Sequence, residues 1–324
     1  MSSSTDARRA RAFLQHAAEP TNPILARYVT AVGPVDAAHR IADCSAPADV
    51  LAESRRHVRW QLADTSLQTA VSLGGRFVIP EDDEWPTDVF VGLSTLAADY
   101  DTLGGPPLGL WVQGEPRLDE LAATHSVAIV GARAATAYGE HHAAEFAYAL
   151  ASRGVRVFSG AAYGVDGAAH RGAMATDRPA ATVAVLPCGI DGAYPAGHVG
   201  LLQRIATSGA IVSEYPPGIP PARHRFLQRH RLLATLTTAT VVVEAGQRSG
   251  ARHAARLAAE LGRPVLAIPG PVSSAVSAGC HRLIQDGTAR LVTSADEVIA
   301  VIDESEEVDA DPKAAVPADE AGRS

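Results

Sequence analysis

Lysine, cysteine and long apolar runs are nearly absent from this chain of 324 residues. Lys313 is the single lysine, so arginine supplies almost all of the positive charge. The three cysteines, Cys44, Cys188 and Cys280, stand far apart without paired spacing, which argues against a disulfide framework or a zinc ribbon. No apolar run has the length of a signal-peptide core or a membrane span. We therefore expect a cytoplasmic protein without a membrane partner.

The acidic residues concentrate at the end of the chain. The formal net charge is -8, and residues 303–324 contain eight acids and only two bases. This segment also has almost no large apolar residues. Such a composition cannot bury enough apolar surface to order a chain. We expect residues 303–324 to form a disordered acidic tail.

The basic residues are dense between residues 216 and 256. Against one acid, Glu244, this segment carries seven arginines: Arg223, Arg225, Arg229, Arg231, Arg248, Arg252 and Arg256. Such a cluster is typical of a surface that binds phosphates. The alternative is a chance grouping, because arginine is the default base of this chain.

The apolar pattern predicts two folded parts before the tail. Residues 1–65 show helical spacing and predict a small helical domain, either a DNA-binding module of the SAM or helix-hairpin-helix kind or a plain packing module. In residues 66–302, short apolar runs such as "SVAIV", "VRVF", "TVAVL" and "TVVVEA" alternate with amphipathic helices. This alternation predicts an α/β fold with a doubly wound, mostly parallel sheet.

Glycine-rich turns follow several of the predicted strands. In "GARAATAYG", Gly131 allows close approach of a ligand and Arg133 adds a forked cation, although a plain turn with a solvated arginine has the same sequence. Parallel strands end where helix N-termini begin, and the free amides there attract anions. We therefore expect anion binding at these turns.

The stretch "SGAAYGVDGAAHRGA" follows the strand "VRVF". Ser159, Gly160 and Gly164 are placed to offer hydroxyl and amide donors to a phosphate. Asp166 and His170 lie four residues apart, which is compatible with a metal pair, a catalytic pair or a capped helix start. No further metal ligands and no nucleophile elbow accompany them, so we expect Asp166 to orient the loop and His170 to pack or support it.

Two further segments are candidates for nucleic-acid contacts. In "VVVEAGQRSGARHAA", Glu244 ends a strand, and Ser249 and Gly250 begin the next helix. In "RHRFLQRHRLLA", arginines alternate with Phe226, a pattern suited to phosphate contacts and base stacking. A solvated amphipathic helix has the same charge pattern and is the alternative.

Together these segments resemble the DNA-processing protein A family (DprA, also called Smf). About ten motifs occur in register between residues 75 and 302, from "FVIPEDDEWP" through "VAIVGAR" to "GCHRLIQDGTARLV". The resemblance implies an extended Rossmann-like domain that binds single-stranded DNA without known catalysis. It also implies a homodimer that acts in natural transformation and recombination and helps to load the RecA recombinase.

The resemblance and the strand ends together predict the site. The residues expected to bind DNA phosphates or bases are Gly131, Arg133, Ser159, Gly160, Gly164, Phe226, Arg229, Arg231, Ser249 and Gly250. The residues expected to orient the loops are Asp166, His170 and Glu244. No catalytic residue, cofactor or metal is expected.

The sequence departs from the family pattern at several positions, and two other functions remain as alternatives. His230 and His281 stand where the family usually has asparagine, and the acidic tail replaces a winged-helix domain, so a lower DNA affinity is expected. One alternative function is a nucleotide phosphoribohydrolase of the Lonely Guy type, with Glu244 as acid or base. Its glycine-rich phosphate loop is missing from "GQRSGAR". The other alternative is a protein-interaction scaffold that has lost DNA binding.

Overall fold

The computed structural model describes residues 4–99, 105–122 and 125–310. The chain begins with helices α1 (Ser4–Ala17), α2 (Pro23–Val32), α3 (Pro34–Ala42), α4 (Ala48–Glu53) and α5 (Trp60–Ser72). The rings of Phe13 and Trp60 stack with centroids 4.4 Å apart and join α1 to α5. Helix α5 continues past residue 65, where we placed the boundary of the helical domain. That division into domains stays a prediction.

One sheet of nine strands forms the centre of the described chain. Its strands are β1 (Gly75–Val78), β2 (Leu110–Gln113), β3 (Ser126–Val130), β4 (Arg156–Ser159), β5 (Thr182–Leu186), β6 (Ala210–Ser213), β7 (Ala239–Val242), β8 (Val265–Ala267) and β9 (Arg290–Leu291). The spatial order is β1-β2-β6-β5-β4-β3-β7-β8-β9. Strands β1 and β2 pair antiparallel with their neighbours, and the remaining pairs are parallel. The predicted doubly wound, mostly parallel sheet is confirmed.

Helices alternate with these strands. They are α6 (Thr87–Asp99), α7 (Leu118–Ala122), α8 (Ala137–Ser152), α9 (Val165–Met174), α10 (Val199–Ser208), α11 (Arg223–Thr235), α12 (Gly250–Glu260), α13 (Ala278–Gln285) and α14 (Ala295–Ala310). Helix α6 packs on the core through Phe90 and Leu93, which are three residues apart and both buried. No helix in the described ranges has the length and apolarity to cross a bilayer.

The last helix changes the predicted start of the acidic tail. Helix α14 extends to Ala310, although we expected disorder from residue 303. Val301 and Ile302 on this helix are buried against the core. The helix therefore begins before the acidic segment and continues into it. The remainder of the predicted tail, residues 311–324, lies outside the described residues.

The two faces of the sheet carry separate hydrophobic clusters. Along β3, Val127 and Ile129 pack in one cluster with α8, α9 and α14, while Ala128 and Val130 pack in another with α11 and α12. Such alternation follows from the two-residue period of a strand. Both faces are therefore covered, as a parallel sheet requires.

The N-terminal helices are attached to the antiparallel end of the sheet. They share a hydrophobic cluster with Phe77, Trp111 and Leu186. Buried Gln15 on α1 donates a hydrogen bond to the carbonyl of Gly109 and accepts one from Trp111 Nε1, each at 2.7 Å. These contacts hold α1 against the sheet from the side opposite β9.

The chain order reverses at β3. From this strand the chain adds β4, β5 and β6 on one side and later β7, β8 and β9 on the other. In open parallel sheets, ligands bind at the carboxyl ends of the strands where such a reversal occurs. The turn at Gly131 lies at this position.

Candidate nucleic-acid interface

A cleft of about 720 Å³ opens between the loops that follow β3 and β7, with α11 along one side. Seven of the thirteen predicted residues line this cleft: Gly131, Arg133, Asp166, Phe226, Arg229, Ser249 and Gly250. The turn at Gly131 is tight because a Cβ atom there would lie 2.5 Å from Val165 Cγ2 and 2.9 Å from the Glu244 carbonyl oxygen. The strand end thus brings the Arg133 loop against the start of α9.

The ring of Phe226 contacts two guanidinium groups. The guanidinium carbon of Arg133 is 4.3 Å from the ring centroid, and that of Arg229 is 5.4 Å away. Tyr194 packs beside the ring with centroids 5.1 Å apart. These are cation–π distances, so the first partners of Phe226 are arginines within the same chain.

Arg229 is buried and anchored below the cleft. Its guanidinium donates to the carbonyls of Gly160 and Val185 and lies 3.5 Å from Asp166 Oδ2. Gly160 must lack a side chain because a Cβ atom there would clash with the Arg229 guanidinium and lie 2.7 Å from Asp166 Oδ2. The role of Gly160 is therefore to admit Arg229.

Asp166 supports the loop that follows β4. Its Oδ2 accepts a hydrogen bond of 3.3 Å from the Ala162 amide and is the ion-pair partner of Arg229. Burial raises the pKa of this carboxyl, and the Arg229 charge opposes the rise. The arrangement agrees with a loop-orienting role, since the carboxylate is neutralised from within the protein.

Three predicted residues of the β4 to α9 stretch, Ser159, Gly160 and Gly164, do not line the cleft. Ser159 is fully buried and donates its hydroxyl to the Ile129 carbonyl at 2.7 Å, so it is not available to a phosphate. Gly164 has a φ of 72° and packs against the carbonyls of Ala132 and Arg133, where only glycine avoids both strain and a clash. It supports the Arg133 loop from behind.

His170 is a core residue. Its Nδ1 is 2.7 Å from Thr182 Oγ1, which itself donates to the Val157 carbonyl, so Nδ1 carries the proton. Burial lowers the pKa of His170 to about 3, and the ring is neutral. The residue packs below β4 and takes no part in the cleft surface.

Glu244 is buried and hydrogen-bonded to the N-cap residue of a helix. Its carboxylate accepts hydrogen bonds from the Thr136 amide at 2.9 Å and the Thr136 hydroxyl at 2.6 Å. Thr136 is the N-cap of α8, so Glu244 joins the β7 end to the Arg133 loop. Both oxygens are occupied, which argues against the acid or base role that a phosphoribohydrolase needs.

Arg231 points away from the cleft. It is 2% exposed and donates from Nη2 to both carboxylate oxygens of Glu214, which is also buried. A phosphate therefore has no access to this side chain, and the structure places Arg231 in the core although we expected a DNA contact.

The remaining arginines of the basic segment also divide by exposure. Arg225 is buried and paired with Glu19 through hydrogen bonds of 2.6 and 3.1 Å. Arg223 and Arg248 are exposed, line the cleft and, among the described residues, form no ion pair; the same holds for Arg133. These three side chains supply the free positive charge of the cleft.

The cleft also presents a helix N-terminus. Ser249 caps α12 by accepting a hydrogen bond of 3.2 Å from the Ala251 amide. Because the amides of a first helical turn attract anions, this end of the cleft favours a phosphate. Arg248 directly precedes the cap.

Several residues that line the cleft were not in the predicted set, among them the polar and aromatic side chains of Tyr194, Arg223, His230 and Arg248. Arg223 and Arg248 were counted in the basic segment. Their positions at or just before the start of a helix could have identified them as candidates for the anion-binding site. His230 is 8% exposed, and its buried Nδ1 has no hydrogen-bond partner within residues 4–99, 105–122 and 125–310. Burial, followed by the charge of Arg229, lowers the pKa of His230 well below its usual range, so the ring is neutral.

The comparison with protein families decides between the remaining interpretations. Residues 76–303 match the family of DNA recombination-mediator protein A. The chain belongs to this family. Membership confirms the resemblance drawn from the motifs and favours a DNA-processing protein over the phosphoribohydrolase alternative.

Relatives and solved structures agree with the family. A DNA processing protein DprA of Mycobacterium tuberculosis, described as putative, is 49% identical over 91% of this chain and 75% of its own length. Protein Smf of Escherichia coli is 41% identical over 60% of this chain and 50% of its own length. The X-ray structure of DprA from Streptococcus pneumoniae matches with a TM-score of 0.70 and 29% identity over 89% of this chain and 95% of that one.

A further structural match concerns DNA directly. The structure of DNA processing protein A from Helicobacter pylori, whose subject is a single-stranded-DNA binding mode, has a TM-score of 0.59 and 28% identity. It covers 70% of this chain and 96% of that chain. The extended Rossmann-like architecture expected from the motifs is thus confirmed.

Proposed function

We propose that this protein binds single-stranded DNA through the cleft between β3 and β7. The observation that carries the proposal is the convergence of Arg133, Arg223 and Arg248 on one cleft at the strand ends, all exposed and unpaired with any acid in the part of the chain that the structure describes. The single-stranded-DNA binding mode described for the Helicobacter pylori relative supports it.

Each wall of the cleft has a distinct role in the proposed complex. The three exposed arginines and the first amides of α12 bind phosphates, because both present donors to anions. Phe226 holds Arg133 in place from below, and bases stack on the Arg133 guanidinium and on Tyr194. Arg229, neutralised by Asp166, fixes the floor.

Titration with oligonucleotides tests this function. Single-stranded and double-stranded oligonucleotides of one sequence are titrated across a range of salt concentrations. With three neutralised phosphates, the logarithm of affinity for single strands falls with a slope of about -2 against the logarithm of salt concentration. Equal affinity for duplex, or an affinity independent of salt, contradicts the proposal.

The finer roles are proposals of the same kind. We infer a cytoplasmic homodimer that acts in natural transformation and recombination and helps to load the RecA recombinase. The family description, recombination-mediator protein, supports the role in recombination. Sedimentation equilibrium tests the dimer, and the rate of RecA filament formation with and without this protein tests the loading role. A monomer, or an unchanged filament rate, contradicts the respective part.

A further inference from the structure

The outward face of α8 carries a cluster of metal-ligating side chains that the DNA cleft does not use. It consists of His141, His142 and Glu145. One ligand atom of each residue lies within 4.8 Å of the other two. Glu145 Oε2 is 3.6 Å from His141 Nε2 and 3.1 Å from His142 Nδ1.

The helical spacing brings these three groups together. Glu145 lies four residues after His141 and three after His142, so its carboxylate sits one turn along the helix between the two imidazoles. Two neighbours then fix the ring of His142. Tyr138 contacts it edge-on at 4.3 Å between centroids, and Phe146 lies at 6.5 Å.

Two of the three ligand separations match those around a bound transition-metal ion, and the separation between the two imidazole nitrogens lies within 4.8 Å. Metal–nitrogen and metal–oxygen bonds of about 2.0–2.2 Å to Zn²⁺ place tetrahedral ligand atoms roughly 3.3–3.5 Å apart. The two distances to Glu145 Oε2, 3.1 and 3.6 Å, bracket this range. Two imidazoles and one carboxylate are also a donor set that Zn²⁺ takes in proteins.

We propose that His141, His142 and Glu145 bind one Zn²⁺ ion on the surface of α8, with water as the fourth ligand. The side chains of His141 and Glu145 are 71% and 57% exposed, so an ion reaches them without a conformational change. The site is separate from the cleft, since none of its residues lines that space.

The binding of Zn²⁺ to the full chain tests the proposal. The protein is treated with a chelator, desalted and titrated with Zn²⁺ in competition with a chromogenic zinc indicator. The expected result is one ion bound in the native chain, and an affinity at least about tenfold lower in Glu145→Gln and in His142→Ala, because each removes a ligand. Glu145→Gln keeps the size of the side chain and tests the ligand rather than the helix.

Two controls separate this site from general surface binding. His57→Asn removes an exposed histidine elsewhere and leaves the affinity unchanged. The melting temperature rises on addition of Zn²⁺ in the native chain and in His57→Asn, but not in Glu145→Gln, because only an ion bound to the folded state stabilises it. Equal Zn²⁺ affinity in the native chain and in both ligand variants overturns the proposal, as does a loss in His57→Asn as large as that in Glu145→Gln.

Discussion

The arginines on α11 and at the cleft form two sets that differ in burial and in pairing with acids. The inner set, Arg225, Arg229 and Arg231, is buried on α11 and paired with Glu19, Asp166 and Glu214. The outer set, Arg133, Arg223 and Arg248, is exposed and has no ion pair within the described residues. A cluster of arginines in the sequence therefore does not show how many of them are exposed and free to bind a ligand.

The two sets differ because buried and exposed arginines have different requirements for a partner. A buried guanidinium needs a partner, because an unpaired charge in the core costs several kcal/mol. Exposed arginines remain solvated and keep their full attraction for phosphates. We therefore expect substitutions in the inner set to change stability, whereas in the proposed complex the outer set supplies the attraction for DNA phosphates.

The largest expected effect is on stability, in Arg231→Met. The change leaves Glu214 buried without its partner and lowers the free energy of unfolding by about 3–5 kcal/mol. Arg117→Met, which breaks an exposed pair with Asp119, is the control and leaves the free energy of unfolding close to the native value. Urea denaturation measures both. If the Arg231→Met variant is as stable as the native protein but no longer binds DNA, Arg231 belongs to the outer set, and its assignment to the core is wrong.

The same variant has a predictable pH dependence. Burial raises the pKa of Glu214, and Arg231 opposes this rise. Without Arg231 the folded-state pKa rises further above the unfolded value, so the folded state binds more protons. Stability of Arg231→Met therefore increases as pH falls through the raised pKa and decreases as pH rises. Urea midpoints at several pH values measure the slope, and a slope of the opposite sign contradicts the pairing.

A smaller effect is expected from Gly160→Ala. The added Cβ atom displaces the Arg229 guanidinium, lowers the free energy of unfolding by about 1–3 kcal/mol and weakens DNA binding through Phe226. Gly200→Ala is the matched control, because a Cβ atom at that glycine meets nothing within 4 Å. Urea denaturation and oligonucleotide titration are compared for both variants. Equal behaviour of the two contradicts the proposed role of Gly160.

Glu19→Gln tests the third inner pair. Burial acts to raise the pKa of Glu19, but the hydrogen bonds and charge of Arg225 lower it overall. A depressed carboxyl pKa stabilises the fold above the unfolded pKa, and that stability is lost as pH falls through the folded pKa. We expect Glu19→Gln to cost about 1 kcal/mol at neutral pH and little in acid. A cost that is the same at both pH values removes the ion pair as the cause.

The smallest effect is expected from Phe226→Leu. Loss of the ring removes the cation–π contact below Arg133, worth about 0.5–1 kcal/mol at an exposed site, and lowers DNA affinity roughly threefold. Phe226→Tyr keeps the ring face and retains the native affinity. Oligonucleotide titration decides, and a fall of about 100-fold in Phe226→Leu shows instead that the ring stacks directly on bases.

Local features of the sequence predicted most of the fold and part of the site. Apolar runs bounded by glycine turns predicted the parallel strands. Gly131 and Arg133 were selected from a strand-end turn and Phe226 from its arginine neighbours, and all three line the cleft. That they contact DNA stays a prediction. Each of these signals lies within a few residues of the feature that it predicts.

The division of the arginines depends on distant partners. Arg225 pairs with Glu19 across 206 residues, and Arg229 pairs with Asp166 across 63. No local pattern shows which arginine meets such an acid. Ser159 and Arg231 were misplaced for this reason, since their surroundings come from other strands and helices.

The salt dependence of single-stranded DNA binding tests the central claim most directly. The combined variant Arg133→Ala, Arg223→Ala and Arg248→Ala is compared with Arg171→Ala, Arg178→Ala and Arg204→Ala, three exposed arginines that do not line the cleft. The account predicts that the slope flattens by about 2 in the first variant and stays native in the second. A native slope in the first variant, or an equal loss in both, contradicts it.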